Sequence, residues 1–438
     1  MINKLFEKKS IRTAFLIVMI LLASVSLLQG IRNACRDSQD FQWDAAKVFT
    51  LGINPYDESA SMSPSGILDA YGYDEYYLQM EANQFPSLLC ILIPFTLLPP
   101  LMARYVWIVC NIIFTGLIIL LLRKTFLREM DSYWFSVLSL LMIAGTPYRN
   151  QIGVGQHTLF AFCFFLIAVY FAEYRRLDSG YDNKTDGSRI WINSVITMIS
   201  LFICFFKYTL TAPLTLYFVY KKKYKEIIIP VIAHGILTIV SAAWLKDSFI
   251  NMILKPLKVA SAISADGGID ISAILRGSSL AYVFALVIMI MLLIVAVRLP
   301  EGYDSTLMAL LTLWSLIVTY HRTYDFFVMI VVAGLFIELG GDSHKWDSLK
   351  EDSLKEDSLK EDKYKCVTEK TSAKAISNIQ TFYIITMLAV FFVLRIFSES
   401  TPSKVFVGAM YYLLTFGITY IVVNIKQSNC TITHGQTR

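Results

Sequence analysis

The sequence predicts an all-α polytopic membrane protein, a multispan helical bundle with two long juxtamembrane loops on one side. Three observations carry that expectation. The 438-residue chain is 55% hydrophobic and only 17% charged, with a mean hydropathy of +0.55, a composition foreign to soluble domains. Apolar runs of membrane-crossing length recur along it. Its Lys and Arg residues gather in alternate connections, as cytoplasmic loops require.

The first span covers Ile11 to Gly30 and follows Lys4, Lys8, Lys9 and Arg12. No small-residue cleavage pattern follows it, so it is expected to be a retained anchor with a cytoplasmic N-terminus. Next come Asp40 and Asp44, four apart and so on one helix face, before a turn of Gly52-Ile-Asn54-Pro-Tyr56 that ends that helix. The apolar piece from Phe85–Pro86 to Pro99–Pro100 is short for a crossing and is expected to be re-entrant or interfacial. Further spans are placed at 101–122, 133–147, 157–174, 190–206, 208–221, 226–244, 279–298, 304–320, 325–339, 379–397 and 404–425. With 86–99 not crossing, 26 of the 39 Lys and Arg residues fall on the cytoplasmic side, which fixes the orientation.

The two long external loops are 31–85, rich in Tyr and acids, and 245–278, which opens on Phe249-Ile-Asn-Met-Ile-Leu-Lys-Pro256. That second piece has the pattern of an amphipathic helix on the outer leaflet. Between Asp347 and Glu361 the pentad Asp-Ser-Leu-Lys-Glu occurs three times; a period of five gives no helical stripe, so 340–378 is expected to be a solvated cytoplasmic linker. The chain thus divides into a membrane catalytic region (1–339), that linker, and a two-helix membrane segment with a tail (379–438). The seven cysteines form no framework, and neither C-x-x-C nor H-x-x-x-H spacing occurs, so no disulfide, metal cluster or cofactor is expected. Nor is a nucleic-acid partner.

Polar groups at the outer span ends are the candidates for chemistry: Asp40 and Asp44, Gln156 in Gly153-Val-Gly-Gln-His157, Lys207 interrupting an apolar run, and His321, Arg322 and Asp325. Ionisable groups at membrane depth are costly and usually face a cavity or a partner. Each has a plainer explanation. Asp40 would serve as a helix cap, and Asp44 would pair with Lys47 or Arg36. Gln156 would be turn chemistry, and Lys207 would snorkel to headgroups. His321 would be a satisfied buried histidine, and Arg322 with Asp325 an internal salt bridge.

Asp40-Phe-x-x-x-Ala-Ala through Gly52-x-Asn-Pro-Tyr56 resembles the opening motif of glycosyltransferase family 87, the polyprenol-phosphate-mannose-dependent α-mannosyltransferase-like proteins. Phe85-Pro-Ser-Leu88 with Pro94, Leu98-Pro99, Trp107 and Asn111 is similar to the family's following segment, and Gly155–Gln156, Lys207 and His321 match later positions in order. Asp44 stands where Tyr is common, and Ser87 replaces a second proline. The resemblance implies a GT-C type bundle in a bacterial inner membrane, with its active site on the extracytoplasmic side. It implies transfer, with inversion, of mannose or another hexose from a polyprenyl-phosphate-linked donor to an envelope glycan or glycolipid acceptor.

Under that resemblance Asp40 would be the base, since a carboxylate at a low-dielectric boundary holds a proton more readily. Lys207, with His321 and Arg322, would hold the donor phosphate and offset charge as the glycosidic bond breaks. Asp44, Asn54, Tyr56 and Gln156 would contact sugar or acceptor. Two other classes compete. A polysaccharide polymerase or ligase usually has a larger external loop. A lipid-linked substrate transporter or flippase predicts internal repeats and charged mid-span residues, and apart from Lys207 neither is seen.

Overall fold

The computed structural model describes residues 9–37, 43–57, 82–128, 130–175, 187–264 and 304–333, with isolated positions between 270 and 294. Among these residues every regular element is helical. Four stretches are long and apolar enough to cross a membrane: Lys9–Arg36, Pro100–Lys124, Ile190–Leu214 and Tyr224–Trp244. The sequence-derived spans at 11–30, 101–122 and 226–244 coincide with three of them. The 340–378 linker and the spans at 379–397 and 404–425 lie outside the described residues, as does more than half of 279–298.

Helix α1 (Lys9–Asp37) leads to the short α2 (Trp43–Thr50), which ends where expected, with Gly52 left-handed at φ 75°. Helix α3 (Pro86–Leu92) runs into a 3-10 turn, Ile93–Leu97, before α4 (Pro100–Lys124). Neither end of this proline-bounded piece leaves the α2 region. The Tyr56 hydroxyl donates to the Gln84 carbonyl at its start (2.5 Å), and the Trp43 indole N–H donates to the Phe95 carbonyl near its end (2.9 Å). It therefore lies along α2.

Helix α5 (Ser132–Ala144) is N-capped by Asp131, whose carboxylate accepts the Tyr133 and Trp134 backbone N–H groups, satisfying donors that a helix start leaves orphaned. The expected spans at 133–147 and 157–174 leave 148–156 as a connection. Instead Thr146–Val154 forms α6, with Pro147 in its first turn, where a missing N–H costs nothing. Helix α6 packs on α1 through two glycines. A Cβ at Gly30 would stand 3.1 Å from the Arg149 carbonyl, and one at Gly153 would stand 3.1 Å from Asn33 Cβ. Small residues let helix backbones approach in an apolar setting.

Helix α7 (Thr158–Val169) continues into a π-helical turn, Tyr170–Tyr174. Its side chains are apolar all round, the pattern of a buried helix, and it forms the centre of the bundle. Around it stand α8 (Gly187–Cys204), α9 (Tyr208–Leu214), α10 (Leu216–Tyr220), α13 (Asp304–Val318) and the 3-10 helix Thr323–Ala333. Phe162 meets Phe327 and Phe165 meets Phe218 edge-on. Helix α11 (Tyr224–Trp244) packs on α8 and exposes Ile228, Ile232, Ile236 and Val240, as a lipid-facing helix does.

Although Ile190–Leu214 has the length of one span, the chain doubles back within it. Ser194 donates to Glu226 and His234 bonds the Phe202 carbonyl, so α8 and α11 run parallel, the two contacts lying eight residues apart along each helix. The chain must return between them. Tyr217 and Lys221 accordingly reach Asp304 at the opposite end of the bundle, and Lys223 meets Glu173 there. The expected pair of segments, 190–206 and 208–221, thus forms a hairpin, and the 3-10 turn Phe205–Lys207 is its apex.

Candidate active site

Two interruptions in apolar helices build the site. The first is the junction of α6 and α7, whose axes meet at 107°. Gly155 ends α6 in the left-handed region, φ 74°, which costs a residue with a Cβ but not glycine. The Trp107 indole of α4 donates to the Gly155 carbonyl (2.8 Å), and the Gln151 amide donates to the Gln156 carbonyl (2.6 Å). The backbone around Gln156 is thereby fixed, and its side-chain carbonyl accepts from Lys207 Nζ (3.4 Å). His157, buried, lays its ring against Phe206 (4.4 Å) and Trp107 (5.4 Å).

The second interruption is the hairpin apex. Lys207 leaves helical geometry at φ −113°, ψ 64°. Broken helices free carbonyls, and at membrane depth these need side-chain partners. The Thr211 hydroxyl lies 2.9 Å from the Cys204 carbonyl and 3.1 Å from that of Lys207. Pro213 lies inside α9 and has no N–H for the Thr209 carbonyl four residues back. That carbonyl accepts instead from Thr319 (2.7 Å) and Ser315 (3.1 Å) at the end of α13.

At the apex the Lys207 ammonium, 9% exposed, stands 3.7 Å from Asp325 Oδ1 and 5.3 Å from the centre of the Tyr324 ring. Asp325 has no exposed surface. Its carboxylate also takes the Thr158 hydroxyl, His321 Nδ1 at 2.9 Å and the Arg322 backbone N–H at 3.4 Å. His321 is equally buried, with Nε2 facing the hydroxyl oxygens of Thr319 (3.0 Å) and Ser315 (3.4 Å). Arg322 is half-buried, and its Nε donates to the Tyr320 hydroxyl (2.6 Å). A buried lysine and histidine gathered on one carboxylate, with Arg322 alongside at one end of the bundle, make an arrangement suited to holding an anion.

Of the residues singled out from sequence, Lys207, Gln156 and His321 are brought together, with Arg322 beside them. Asp40 lies outside the described residues. The chain on either side of it is held at the same end of the bundle. Buried Arg104 donates to the Cys35 carbonyl at the close of α1 (3.3 Å). Trp43 packs with Trp107, Phe160 and Phe206, the rings beside Gln156 and Lys207. Asp44 is buried in the first turn of α2. Asn54 is engaged in a different polar cluster, and the Tyr56 hydroxyl bonds the Gln84 carbonyl beside Phe85, whose ring meets that of Tyr208, next to Lys207, at 4.9 Å. Asn54 donates to Asp247 (3.1 Å) and accepts the Tyr56 N–H, in a second polar cluster where Lys255 of α12 (Phe249–Ser264) bridges Asp247 and Asp57. There burial pushes the Asp247 carboxyl up, but hydrogen bonds from Lys255, Asn251 and the Ser248 N–H outweigh it and hold it at about 2. Burial lowers the Lys255 ammonium, and its two carboxylates more than reverse this.

Sequence reasoning missed the centrality of Asp325, which pairs with Lys207 and His321 and meets Arg322 through the backbone. A carboxylate in the first turn of an apolar segment was the available signal. Thr158, Thr319 and Ser315 gave none, being ordinary residues in helical sequence.

A sequence model of glycosyltransferase family 87 matches residues 86–321, more than half of the chain, from the proline-bounded α3 to His321. No curated protein and no solved structure matches.

Proposed function

We propose, since this chain belongs to glycosyltransferase family 87 and is a membrane glycosyltransferase, that it transfers a hexose from a polyprenyl-phosphate donor to an envelope glycan or glycolipid, with inversion. The observation that supports this best is the buried Lys207 ammonium at a helix break, held by Asp325 and Gln156. A desolvated, preoriented cation is what a departing phosphate needs, because it stabilises charge that develops as the sugar–oxygen bond breaks. Lys207 and Arg322 supply cationic contacts to the phosphate, and His321 contributes through Asp325. Gln156 and Asp44 face the sugar or acceptor. Asn54 and Tyr56 contribute on the acceptor side by anchoring α12.

Asp40 is the base in this proposal. It takes the acceptor hydroxyl proton as that oxygen attacks the anomeric carbon from the face opposite the leaving phosphate. The bacterial inner membrane, with the site on its outer face, suits a lipid-borne donor. Replacing Asp40 with Asn is expected to abolish transfer from a polyprenyl-phosphate sugar while the protein remains folded in membranes; full activity in that variant removes the base assignment. Lys207→Ala is expected to impair donor use far more than acceptor use in steady-state kinetics. Unchanged donor kinetics would remove its phosphate role.

A further inference from the structure

Between α4 and α6 two buried amide oxygens lack a hydrogen-bond donor. Two contacts set the register of this seam. The Trp107 indole donates to the Gly155 carbonyl, and the Thr115 and Tyr148 hydroxyls meet at 2.9 Å. Trp107, Asn111 and Thr115 recur every four residues on α4, and Tyr148, Gln151 and Gly155 follow at intervals of three and four along α6. Each trio therefore occupies one helix face, and Asn111 and Gln151 stand level with one another between the two contacts. Asn111 is 1% exposed and Gln151 0%. The nitrogen of each amide is already committed. That of Asn111 donates to the Trp107 carbonyl (3.0 Å), and that of Gln151 to the Gln156 carbonyl (2.6 Å). Asn111 Oδ1 and Gln151 Oε1 have no partner among the described residues. Turning either amide end for end brings no relief, because its oxygen would then face the carbonyl that its nitrogen now serves.

We propose that one water molecule is bound between α4 and α6, donating to both Asn111 Oδ1 and Gln151 Oε1, and that it steadies the Gln156 corner from behind. Two lone acceptors call for a ligand with two protons to give. A calcium or magnesium ion gathers about six or more oxygens, which two amides do not provide. Room for the water follows from side-chain length. An aromatic ring spans the seam at each flanking contact, the Trp107 indole at one and the Tyr148 phenol at the other. The shorter Asn111 and Gln151 side chains occupy the middle. Buried acceptors left dry are costly, and internal waters typically serve such groups. The effect reaches the site through one side chain, since Gln151 holds the Gln156 carbonyl and the Gln156 amide oxygen accepts from Lys207. The link to donor use rests on the function proposed above; the water site does not.

The test is electron cryomicroscopy of the full-length chain in lipid nanodiscs, at a resolution that shows ordered water. Density is expected within about 3 Å of both oxygens. An empty seam, or the two amides paired directly, overturns the proposal. Thermal midpoints in sodium, potassium and choline chloride at equal ionic strength should coincide, as they do for a neutral ligand. A rise specific to one metal cation overturns water in favour of that ion. Asn111→Leu removes one acceptor at similar volume. The density should then be lost, and the KM for a polyprenyl-phosphate sugar should rise several-fold while the acceptor KM holds. Asn111→Val replaces this variant if leucine does not fold. Lost density with an unchanged donor KM overturns the link to the corner. If the water is present but no polyprenyl-phosphate sugar is used, the donor assignment fails and the water site stands.

Discussion

At Asp325 a carboxylate with no exposed surface stands between Lys207 and His321, residues that come from different helical connections. Removing one partner of a buried charge group costs about 3–5 kcal/mol, because the others keep their desolvation penalty and lose their compensation. Asp325→Ala is therefore expected to lower the thermal midpoint in detergent markedly and to abolish transfer. A variant with an unchanged midpoint would show that the Lys207 charge is met elsewhere. The Asp247–Lys255–Asp57 group is wetter and makes a different prediction. Asp247 titrates at about 2 in the folded chain, against about 3.9 for an unperturbed Asp. A lowered folded value means that its stabilisation is complete above about pH 4 and is lost as pH falls toward 2. Thermal midpoints measured from pH 6 to 2 should fall more steeply in the native chain than in Asp247→Asn across that window. Parallel curves would mean that the cluster adds nothing to folding.

Helix interruptions, rather than helices, carry the site, and this decides how much of it was legible in sequence. Gly155 allows α7 to leave α6 at 107° with Gln156 at the corner. Alanine there meets the left-handed penalty of about 1–2 kcal/mol. Gly155→Ala should accordingly lower stability by about that amount and reduce transfer by turning the Gln156 carbonyl off Lys207, measurable as a fall in kcat/KM beside a modest fall in midpoint. Wild-type kinetics would show that the corner is incidental. The long apolar helices were legible because a span announces itself by length and hydropathy. Lys207 was legible because it breaks an apolar run, and Gln156 because it follows a turn glycine. The expected connection after α5 proved to be α6, since its polar residues, Arg149, Asn150 and Gln151, hid a helix packed through glycines. Nothing local marked Thr319 or Ser315. Their importance comes from a carbonyl freed by Pro213 more than 100 residues earlier, a relation that exists only after folding. Asp325, close to Arg322 in sequence, looked like a local salt bridge and is instead the meeting point of three parts of the fold.

Across the whole molecule, the two ends of the bundle differ in chemistry. One end gathers the Gln156 corner, the Lys207 apex and the His321–Asp325 connection, with α2 alongside. The other gathers Arg123, Lys124, Arg175, Lys221 and Lys223, the end that the loop charges of the sequence lead one to expect in the cytoplasm. If so, the site opens to the outer face, where nucleotide sugars are absent and a lipid must deliver the sugar. Single cysteines in a chain stripped of its seven native ones test this directly. Leu51→Cys lies beside the site end at an exposed position, and Lys225→Cys is exposed at the basic end. A membrane-impermeant maleimide applied to intact spheroplasts should modify the first, and should reach the second only after permeabilisation. The opposite labelling would turn the site toward the cytosol. A soluble nucleotide sugar would then be available to it, and the physical reason for a polyprenyl-phosphate donor would be lost even with the Lys207–Asp325 geometry intact.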